Sequence, residues 1–368
     1  MSTQATWMDQ HPLGKKLDTD KTSGQFPSST RFLATISRYR NALIVAHDNP
    51  DPDAVATGWA IKQLIETCTN MKATLIAGGQ ITRAENRHMV ESLEAPIVLV
   101  DTPQADTSTA VILVDCGVDA THHLATQLKR TPTAVIDHHC SGSSADVEYF
   151  DIRPEVAASA SIAASYLQEQ GVTPSAKLAT ALLYALKTET RGGEHHFTKL
   201  DREMLTWLTK YADPAVLSKI EDAPLTREYY RDMALAMNTA SIYGNTAICM
   251  LPHAAGPEIV GEVADFLIRC EGITSVLCAA AIDADVLISA RTIECDRNAT
   301  ELLQTVLDGL GEGGGHQHRA GGKISDVSCT SCVPDDVVEE LTTRWLTATC
   351  CESFTVTPLV AHNGSART

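Results

Sequence analysis

The stretch Leu43-Ile-Val-Ala-His47-Asp48-Asn49-Pro50-Asp51-Pro52-Asp53-Ala54 decides how the rest of the chain is interpreted. It starts as an apolar run of strand type, stops at a histidine, turns through Asn-Pro and reaches two carboxylates before a helical pattern begins. The prolines fix φ and stiffen the turn, so the side chains of His47, Asp51 and Asp53 are positioned before any ligand binds. Closely spaced carboxylates repel one another unless a positive charge lies between them. The stretch therefore predicts a divalent-cation site between a strand and a helix.

Two further predicted strands end in residues of the same kind. The run Val111-Ile-Leu-Val114 meets Asp115, and strand 134–136 leads into Asp137-His138-His139. In an open parallel sheet, ligands bind at the carboxyl ends of the strands, so we expect the three strand ends to converge on one crevice. Strands alternate with helical patterns as far as residue 187, with one helix expected at 119–129. This alternation predicts an α/β fold with a parallel-sheet N-terminal metal domain.

The rest of the chain predicts a second, smaller α/β domain. Apolar runs at 246–250, 274–280 and 285–290 have the character of strands, and helical patterns separate them. A charge-rich, proline-containing section before them is a plausible linker. The predicted organisation is a flexible N-terminal arm at 1–34, a metal-binding catalytic domain at 35–212, a linker at 213–235, a substrate-binding domain at 236–349 and a tail at 350–368.

Composition restricts the partners. A net charge of −17 over 368 residues disfavours a long duplex nucleic acid, which requires a broad basic face. A short nucleotide or oligonucleotide substrate stays compatible, because metals and arginines can reverse the sign within one cleft. The polar N-terminus and the lack of a long apolar segment predict a cytoplasmic protein without membrane contact. The oligomeric state stays open, with a homodimer as one option.

Eleven cysteines are an odd number, and several lie in apparent core strands. With no secretion signal, we interpret most of them as reduced, buried side chains. One alternative is a structural zinc site in the C-terminal part of the chain, although its second pair lacks the usual ligand spacing. Its ligands would be Cys329, Cys332, Cys350 and Cys351.

The candidate metal ligands together supply two imidazoles and four carboxylates. Mixed nitrogen and oxygen ligation of this kind suits Mn²⁺, Co²⁺ or Mg²⁺ better than a thiolate-seeking metal. Four carboxylates also balance two divalent ions. The alternative is that each aspartate only caps a helix or a turn. The candidate ligands are His47, Asp51, Asp53, Asp115, His138 and Glu189.

The order of these motifs resembles the DHH phosphoesterase family with its associated C-terminal domain. The resemblance covers roughly residues 40 to 325 and is carried by His47-Asp-Asn-Pro-Asp51-Pro-Asp53-Ala, Val114-Asp115-Cys-Gly, Asp137-His138-His139 and Gly313-Gly-Gly-His316. It implies that one Mn²⁺ is held by His47, Asp51 and Asp115. The other would be held by Asp53, Asp115, His138 and the residue at 189.

The resemblance also implies roles for the remaining residues of the third motif. His139 would lie beside the attacked phosphate, as a donor to its oxygens or as a general acid. Asp137 would orient a histidine ring by accepting its other N–H. The chain departs from the family at Glu189, where relatives usually carry aspartate between two threonines. The extra methylene moves the carboxylate, which can shift the metal preference, weaken the binding of one metal or abolish activity.

Substrate binding is expected in the second domain. Gly313-Gly-Gly-His316 is interpreted as a flexible loop whose backbone N–H groups approach an anion, with a plain linker as the alternative. By the same resemblance, Arg291 matches a position associated with substrate phosphate or base, with a surface arginine as the alternative. The candidate substrate-binding residues are Arg291, Gly314, Gly315, His316, His318 and Arg319.

The sequence and the resemblance together predict an Mn-dependent phosphoesterase. Its substrates would be short oligoribonucleotides, linear dinucleotides or 3′-phosphoadenosine 5′-phosphate (pAp), cut to mononucleotides. Two alternatives stay open: a pyrophosphatase or exopolyphosphatase, and a non-catalytic nucleotide-binding protein if Glu189 cannot complete the second site. The acidic composition disfavours a processive DNA exonuclease of the RecJ type. The histidine pair His122-His123 is interpreted as surface residues.

Overall fold

The computed structural model describes residues 26–139, 146–190, 197–254, 256–294, 296–315, 317–327, 332–350 and 355–360. The chain divides into two compact units, Met1–Pro224 and Leu225–Thr368. Both units combine helices with a central sheet, as the α/β prediction requires. No helix within the described ranges is both long and apolar enough to span a membrane.

The N-terminal unit contains a six-stranded sheet in the order β3-β2-β1-β4-β5-β6, and every pairing is parallel. Strands β1 and β4 are almost entirely apolar and buried, because helices and loops cover both faces of a parallel sheet. The strands are β1 (Asn41–Val45), β2 (Lys72–Ala77), β3 (Ile97–Leu99), β4 (Thr109–Val114), β5 (Ala134–Asp137) and β6 (Tyr149–Ile152).

Helices pack against this sheet, and the largest apolar core lies between them. Helix α2 starts at Pro52 because Asp51 caps it, accepting the backbone N–H of Ala54 at 3.0 Å. The helices are α1 (Ser28–Ile36), α2 (Pro52–Cys68), α3 (Ala84–Leu93), α4 (Ser159–Glu169), α5 (Ala176–Glu189), α6 (Lys199–Leu208) and α7 (Pro214–Glu221).

The second unit is built on a seven-stranded mixed sheet in the order β11-β12-β10-β9-β8-β7-β13. Among the strands that the structure describes in this unit, only β8 and β9 pair in parallel. The strands are β7 (Ser241–Tyr243), β8 (Thr246–His253), β9 (Ser275–Ile282), β10 (Asp285–Thr292), β11 (Glu312–Gly315), β12 (Arg319–Ile324) and β13 (Val356–Pro358). The helices are α8 (Arg227–Thr239), α9 (Glu258–Leu267), α10 (Ala299–Leu307) and α11 (Asp335–Ala348).

Of three local sequence predictions, two need correction. The predicted arm at 1–34 includes the start of α1, whose Phe32 and Leu33 are fully buried. The segment 213–235 predicted as a linker contains the boundary between the two units, at Pro224 and Leu225, and is largely helical, in α7 and α8. The helix predicted at 119–129 is wrong, because the chain there is extended at His123 and only Leu124–Leu128 forms a 3₁₀ turn.

The cysteine alternative lies partly outside the described residues, which include neither Cys329 nor Cys351. Cys332 and Cys350 are exposed free thiols. Cys116, Cys249 and Cys278 are buried free thiols, as expected for reduced side chains that pack in a core.

Candidate metal centre

Three neighbouring strands of the N-terminal sheet deliver the candidate ligands to one edge. Strands β1, β4 and β5 are adjacent and parallel, so their carboxyl ends lie side by side. His47 follows β1, Asp115 follows β4, and His138 follows β5. The convergence expected from the sequence is therefore present in the structure for these three side chains.

The first group consists of His47, Asp51 and Asp115, whose ligand atoms all lie within 4.8 Å of one another. His47 Nε2 is 3.8 Å from Asp51 Oδ1 and 3.7 Å from Asp115 Oδ2. His47 Nδ1 lies 2.9 Å from the carbonyl oxygen of Asp48, which can only accept, so Nδ1 carries a proton. This hydrogen bond fixes the ring and directs Nε2 at the carboxylates, as in many metal-binding histidines.

A second group lies on the other side of Asp115. His138 Nε2 is 3.6 Å from Asp115 Oδ1 and 3.8 Å from Asp53 Oδ2. The other ring nitrogen of His138 is 3.2 Å from the carbonyl oxygen of Val156, which orients the ring in the same way. His139 Nδ1 also lies 3.9 Å from Asp115 Oδ1, so Asp115, His138 and His139 form a set of three possible ligands.

Asp115 lies between the two groups, with Oδ2 towards His47 and Oδ1 towards His138. A carboxylate with its two oxygens directed at separate ligand sets can bridge a pair of ions. Its backbone has a φ of 57°, which is unfavourable for a residue with a side chain. Such conformations concentrate at functional sites, where the surrounding structure maintains them.

The start of helix α4 stabilises the two buried carboxylates. Asp53 accepts the backbone N–H of Ser159 and of Ala160, each at 2.7 Å. The hydroxyl of Ser159 donates to Asp115 Oδ1 at 2.8 Å. The N-terminus of a helix carries a partial positive charge and unsatisfied N–H groups, so it favours negative side chains there. The carboxylates are therefore oriented by fixed donors before any cation binds.

Asp137 orients the last histidine. This fully buried carboxylate accepts the N–H groups of His138 and His139 at 2.8 and 3.1 Å, and lies 2.7 Å from His139 Nδ1. Burial opposes the charge on Asp137, but the hydrogen bond from His139 outweighs it and lowers the pKa of the carboxyl. For His139, burial also opposes the charge, and the bond to Asp137 raises the pKa of the imidazole.

Without bound cations, the buried carboxylates of this cluster repel one another. Burial, together with repulsion from Asp51, raises the pKa of Asp53 to about 7. Burial and the neighbouring carboxylates also raise the pKa of Asp115 well above its usual range. Carboxylates held close together in a poorly solvated position resist ionisation until a positive charge joins them. The donor set therefore fits divalent metal ions.

The pKa values of His47 and His138 are shifted in opposite directions. Burial lowers the pKa of His47, but the hydrogen bond and charge of Asp51 raise it to about 9 overall. The pKa of its partner Asp51 is shifted the other way: burial raises it, but His47 lowers it to about 2 overall. Burial and the charge of His139 lower the pKa of His138 to about 4, which leaves its Nε2 unprotonated for a metal at neutral pH.

Glu189 is the last of the predicted ligands along the chain. It is the last residue of α5 and is half-buried. Among the described residues, neither set of three possible ligands includes it. Glu189 as a metal ligand therefore stays a prediction.

Of the candidate substrate-binding residues, Arg291 and Arg319 are direct partners across β10 and β12. Arg291 donates to Asp265, Ser289 and Gly261, with Nε 2.6 Å from Asp265 Oδ1. Arg291 also donates to the carbonyl oxygen of Ala290. Most of its N–H groups therefore bond to α9 or to β10, and the side chain links this helix to the sheet. Arg319 Nε is 3.9 Å from the same Asp265 oxygen, and its side chain is 37% exposed.

The glycine-rich segment is not the flexible loop predicted from the sequence. Gly314 and Gly315 belong to β11, at the edge of the sheet, and pair with Gly321 and Ala320. Gly315 has a φ of 148°, and a Cβ there would lie 2.4 Å from the carbonyl oxygen of Arg319. Glycine is thus required by close strand pairing. His318 Nδ1 lies 3.0 Å from the Thr292 carbonyl oxygen, and His316 lies outside the described residues.

Sequence reasoning missed the histidine pair beside the centre. His123 is buried and forms an antiparallel bridge with His47, and the carbonyl of His122 accepts the N–H of Asp48 at 2.7 Å. The His122 ring lies 6.0 Å from the His47 ring. The surface interpretation is therefore wrong for His123. The sequence signal for His123 was its position in the loop that follows Asp115, because that loop starts at the sheet edge that carries the metal centre.

Comparisons with known proteins agree with this geometry. Residues 41–186 match the family described as DHH family, N-terminal domain. An uncharacterized protein from Methanocaldococcus jannaschii is 33% identical over 283 residues, which is 77% of this chain and 57% of that protein. The chain thus spans a little more than half the length of this relative.

Two solved structures share the fold. An exopolyphosphatase-related protein from Bacteroides fragilis is similar with a TM-score of 0.69 and 14% identity, over 89% of this chain and 98% of that one. The structure of exonuclease RecJ bound to manganese gives a TM-score of 0.51 and 13% identity, over 88% of this chain and 94% of that one. At these identities the likeness concerns the fold alone.

Proposed function

Because this chain belongs to the DHH family through its N-terminal unit, we propose that it is a two-metal phosphoesterase. Members of this family are phosphoesterase hydrolases. The observation that carries the proposal is the position of Asp115, which has one oxygen towards His47 and the other towards His138. Two ions sharing one carboxylate is the arrangement that phosphate-ester hydrolysis uses repeatedly.

We propose Mn²⁺ as the ion, with Co²⁺ and Mg²⁺ as substitutes. Imidazole and carboxylate donors suit all three metals, and none of the proposed ligands is a thiolate. When bound, the ions supply charge for the phosphoryl oxygens and an activated water for attack on phosphorus. His47, Asp51 and Asp115 would hold the first ion, and Asp53, Asp115 and His138 the second. Glu189 is proposed as a weaker ligand of the second ion.

His139 is proposed as the proton donor of the reaction. Its Nδ1 is held by Asp137, which orients the ring, and its side chain is 37% exposed. The raised pKa keeps the ring protonated closer to neutral pH. A protonated imidazole can donate to a phosphoryl oxygen or to the leaving oxygen. Asp137 is then a positioning residue that acts through His139.

We propose short oligoribonucleotides, linear dinucleotides or pAp as substrates. The net charge of −17 supports small substrates, because a long duplex would meet a largely repulsive surface. In the second unit, Arg319 is the better candidate for a phosphate contact, since Arg291 is occupied by Asp265, Ser289 and two backbone carbonyls. Arg291 is instead proposed to fix Asp265 and α9.

The test is an Mn²⁺-dependent hydrolysis screen of the intact chain. It should compare pAp, a linear dinucleotide, a short oligoribonucleotide, inorganic pyrophosphate and short-chain polyphosphate, with Asp115→Asn as the inactive control. We expect turnover of at least one nucleotide substrate and none in the variant. Turnover of pyrophosphate or polyphosphate alone would replace the proposal with a pyrophosphatase or exopolyphosphatase. Nucleotide binding without any turnover would indicate a non-catalytic nucleotide-binding protein.

A further inference from the structure

A groove of about 560 Å³ lies on the surface of the N-terminal unit, along helix α6. Most of its lining comes from α6 and from the residues just after it, and Gln168 at the end of α4 contributes one wall. The α6 side chains follow the spacing of a single helical face, with steps of three and four residues. The lining residues used below are Lys199, Arg202, Glu203, Trp207 and Lys210.

The groove is cationic on a chain that is strongly acidic. It presents two lysines and an arginine against one glutamate, whereas the whole chain carries a net charge of −17. Lys199 and Glu203 lie 3.5 Å apart, but the lysine side chain is 85% exposed. Lys210 makes no ion pair with any residue in the described ranges. A local positive stripe of this kind attracts phosphate groups.

Two members of the groove are held in place. Arg202 Nη1 donates to the carbonyl oxygen of Phe197 at 2.5 Å, which ties its guanidinium to the start of α6. The half-buried indole of Trp207 packs edge to face on Tyr211, with 5.5 Å between the ring centroids. Cations that bind phosphates beside an aromatic ring that stacks a base are the elements of single-stranded nucleic-acid sites.

Helix α6 is also tied to the segment that supports the metal centre. Buried Asp201, which completes the N-terminal capping box of α6, accepts the hydroxyl of Ser161 at 2.6 Å and the N–H of Ala157 at 3.2 Å. Ser159 lies between these two residues and donates to Asp53 and Asp115. Helix α6 and the metal centre therefore contact the same segment, residues 157–161, within one unit.

We propose that the α6 groove binds a single-stranded nucleic acid, with phosphates on Lys199, Arg202 and Lys210 and a base stacked on Trp207. From Lys199 to Trp207 the helix rises about 12 Å, enough for a few nucleotides. The indole distinguishes this ligand from a plain polyanion, because only a ligand with bases gains from stacking. The site needs no metal, so it is separable from the proposed hydrolysis.

The experiment measures binding of a labelled single-stranded RNA of about 12 nucleotides to the intact chain in EDTA, by fluorescence anisotropy at several salt concentrations. The groove variant Lys199→Gln/Arg202→Gln/Lys210→Gln should bind at least about tenfold more weakly, with a salt slope smaller by about 2, the value for three lost phosphate contacts on a single strand. Trp207→Ala should weaken binding about tenfold. The matched control removes the same charge from exposed Lys72, Arg87 and Lys129.

The proposal stands if only the groove variants lose affinity. It is overturned if the groove triple variant binds like the original chain, or if the control triple variant loses as much. It is also overturned if Trp207→Ala has no effect while polyphosphate displaces the RNA from the groove. Asp115→Asn should keep RNA binding, and the groove variants should keep any Mn²⁺-dependent turnover of pAp, so failure here and failure of the proposed hydrolysis are distinguishable.

Discussion

Ser159 donates its side-chain hydroxyl to Asp115 at a distance of 2.8 Å. The same residue donates its backbone N–H to Asp53 at 2.7 Å. One residue at the start of α4 thus orients two carboxylates that lie 62 positions apart in the chain. Mutation of a residue that hydrogen-bonds to a metal ligand typically costs about 10- to 100-fold in metal affinity or activity.

Removal of this hydroxyl should weaken metal binding without unfolding the protein. In Ser159→Ala the backbone N–H to Asp53 remains, but Asp115 loses its side-chain donor, so we expect Mn²⁺ affinity to fall about 10- to 100-fold. Isothermal titration with Mn²⁺ measures this. The control is Ser165→Ala, which removes a hydroxyl of the same helix that donates only to the Ile162 carbonyl. Equal loss in both variants would contradict the assignment.

The shared carboxylate predicts a joint loss of both ions. Asp115→Asn keeps the size of the side chain but removes the charge between His47 and His138, so both metal sites should fail together. We expect no detectable turnover and no rise in melting temperature on addition of Mn²⁺, whereas the original chain should be stabilised by its bound ions. A variant that still bound one Mn²⁺ at full affinity would show that Asp115 does not bridge.

Asp53 should contribute less to the stability of the metal-free protein as pH rises from about 4 to about 7. The pKa of Asp53 is about 7 in the folded chain and 3.8 ordinarily, so the folded state binds the extra proton across this window. Stability falls with pH wherever the folded state holds more protons than the unfolded state. For this buried group the loss is on the order of a few kcal/mol.

Urea unfolding in EDTA at several pH values tests this against Asp53→Asn, which cannot titrate. The difference in the free energy of unfolding between the two proteins should shift in favour of the variant across the window. Saturating Mn²⁺ should remove the shift, because a bound cation favours the ionised carboxylate. An unchanged difference between pH 4 and pH 7 in EDTA would contradict the raised pKa.

Asp137→Asn should slow the chemical step while leaving the metals bound. Asparagine can still accept from His139 Nδ1, but the negative charge that raises the pKa of the ring is lost. We expect kcat to fall about 100-fold, the usual scale for a proton donor. The alkaline limb of the kcat profile should move to lower pH. A profile of unchanged shape would mean that His139 does not donate the proton.

The ligands at the strand ends could be predicted from the sequence because each one is a local event. An apolar run ends, and an acidic residue or a histidine follows, as at His47 and Asp115. The rule that ligands bind at the carboxyl ends of parallel strands then places such residues together without knowledge of the strand order. The helical face of α2 and its start at Pro52 are local signals of the same kind.

The supporting donors could not be predicted, because they depend on approach between distant segments. Ser159 lies in an alanine-rich helix start with no sign that Asp53, 106 residues earlier, receives its N–H. The glycine segment was misinterpreted for a related reason: three glycines suggest flexibility, whereas at Gly315 the nearby backbone of Arg319 requires glycine within a strand. Such requirements exist only in the folded chain.

Glu189 provides the sharpest remaining test of the centre. Its carboxylate is one carbon–carbon bond, about 1.5 Å, further from the backbone than that of aspartate. We expect Glu189→Gln to weaken the second Mn²⁺ at least about tenfold and to lower turnover at limiting metal, because a charged ligand is lost. Glu189→Asp should bind two ions and retain turnover. Metal counting by electron paramagnetic resonance, together with pAp hydrolysis, measures both effects.

The two substitutions separate three arrangements of the second site. If Glu189→Gln binds Mn²⁺ as tightly as the original chain, Glu189 is not a ligand. If the original chain binds one ion and turns over nothing while Glu189→Asp gains activity, the glutamate has converted the protein to nucleotide binding. Only loss in Glu189→Gln with retention in Glu189→Asp fits a working pair of ions, since the charge is then needed and the length is not.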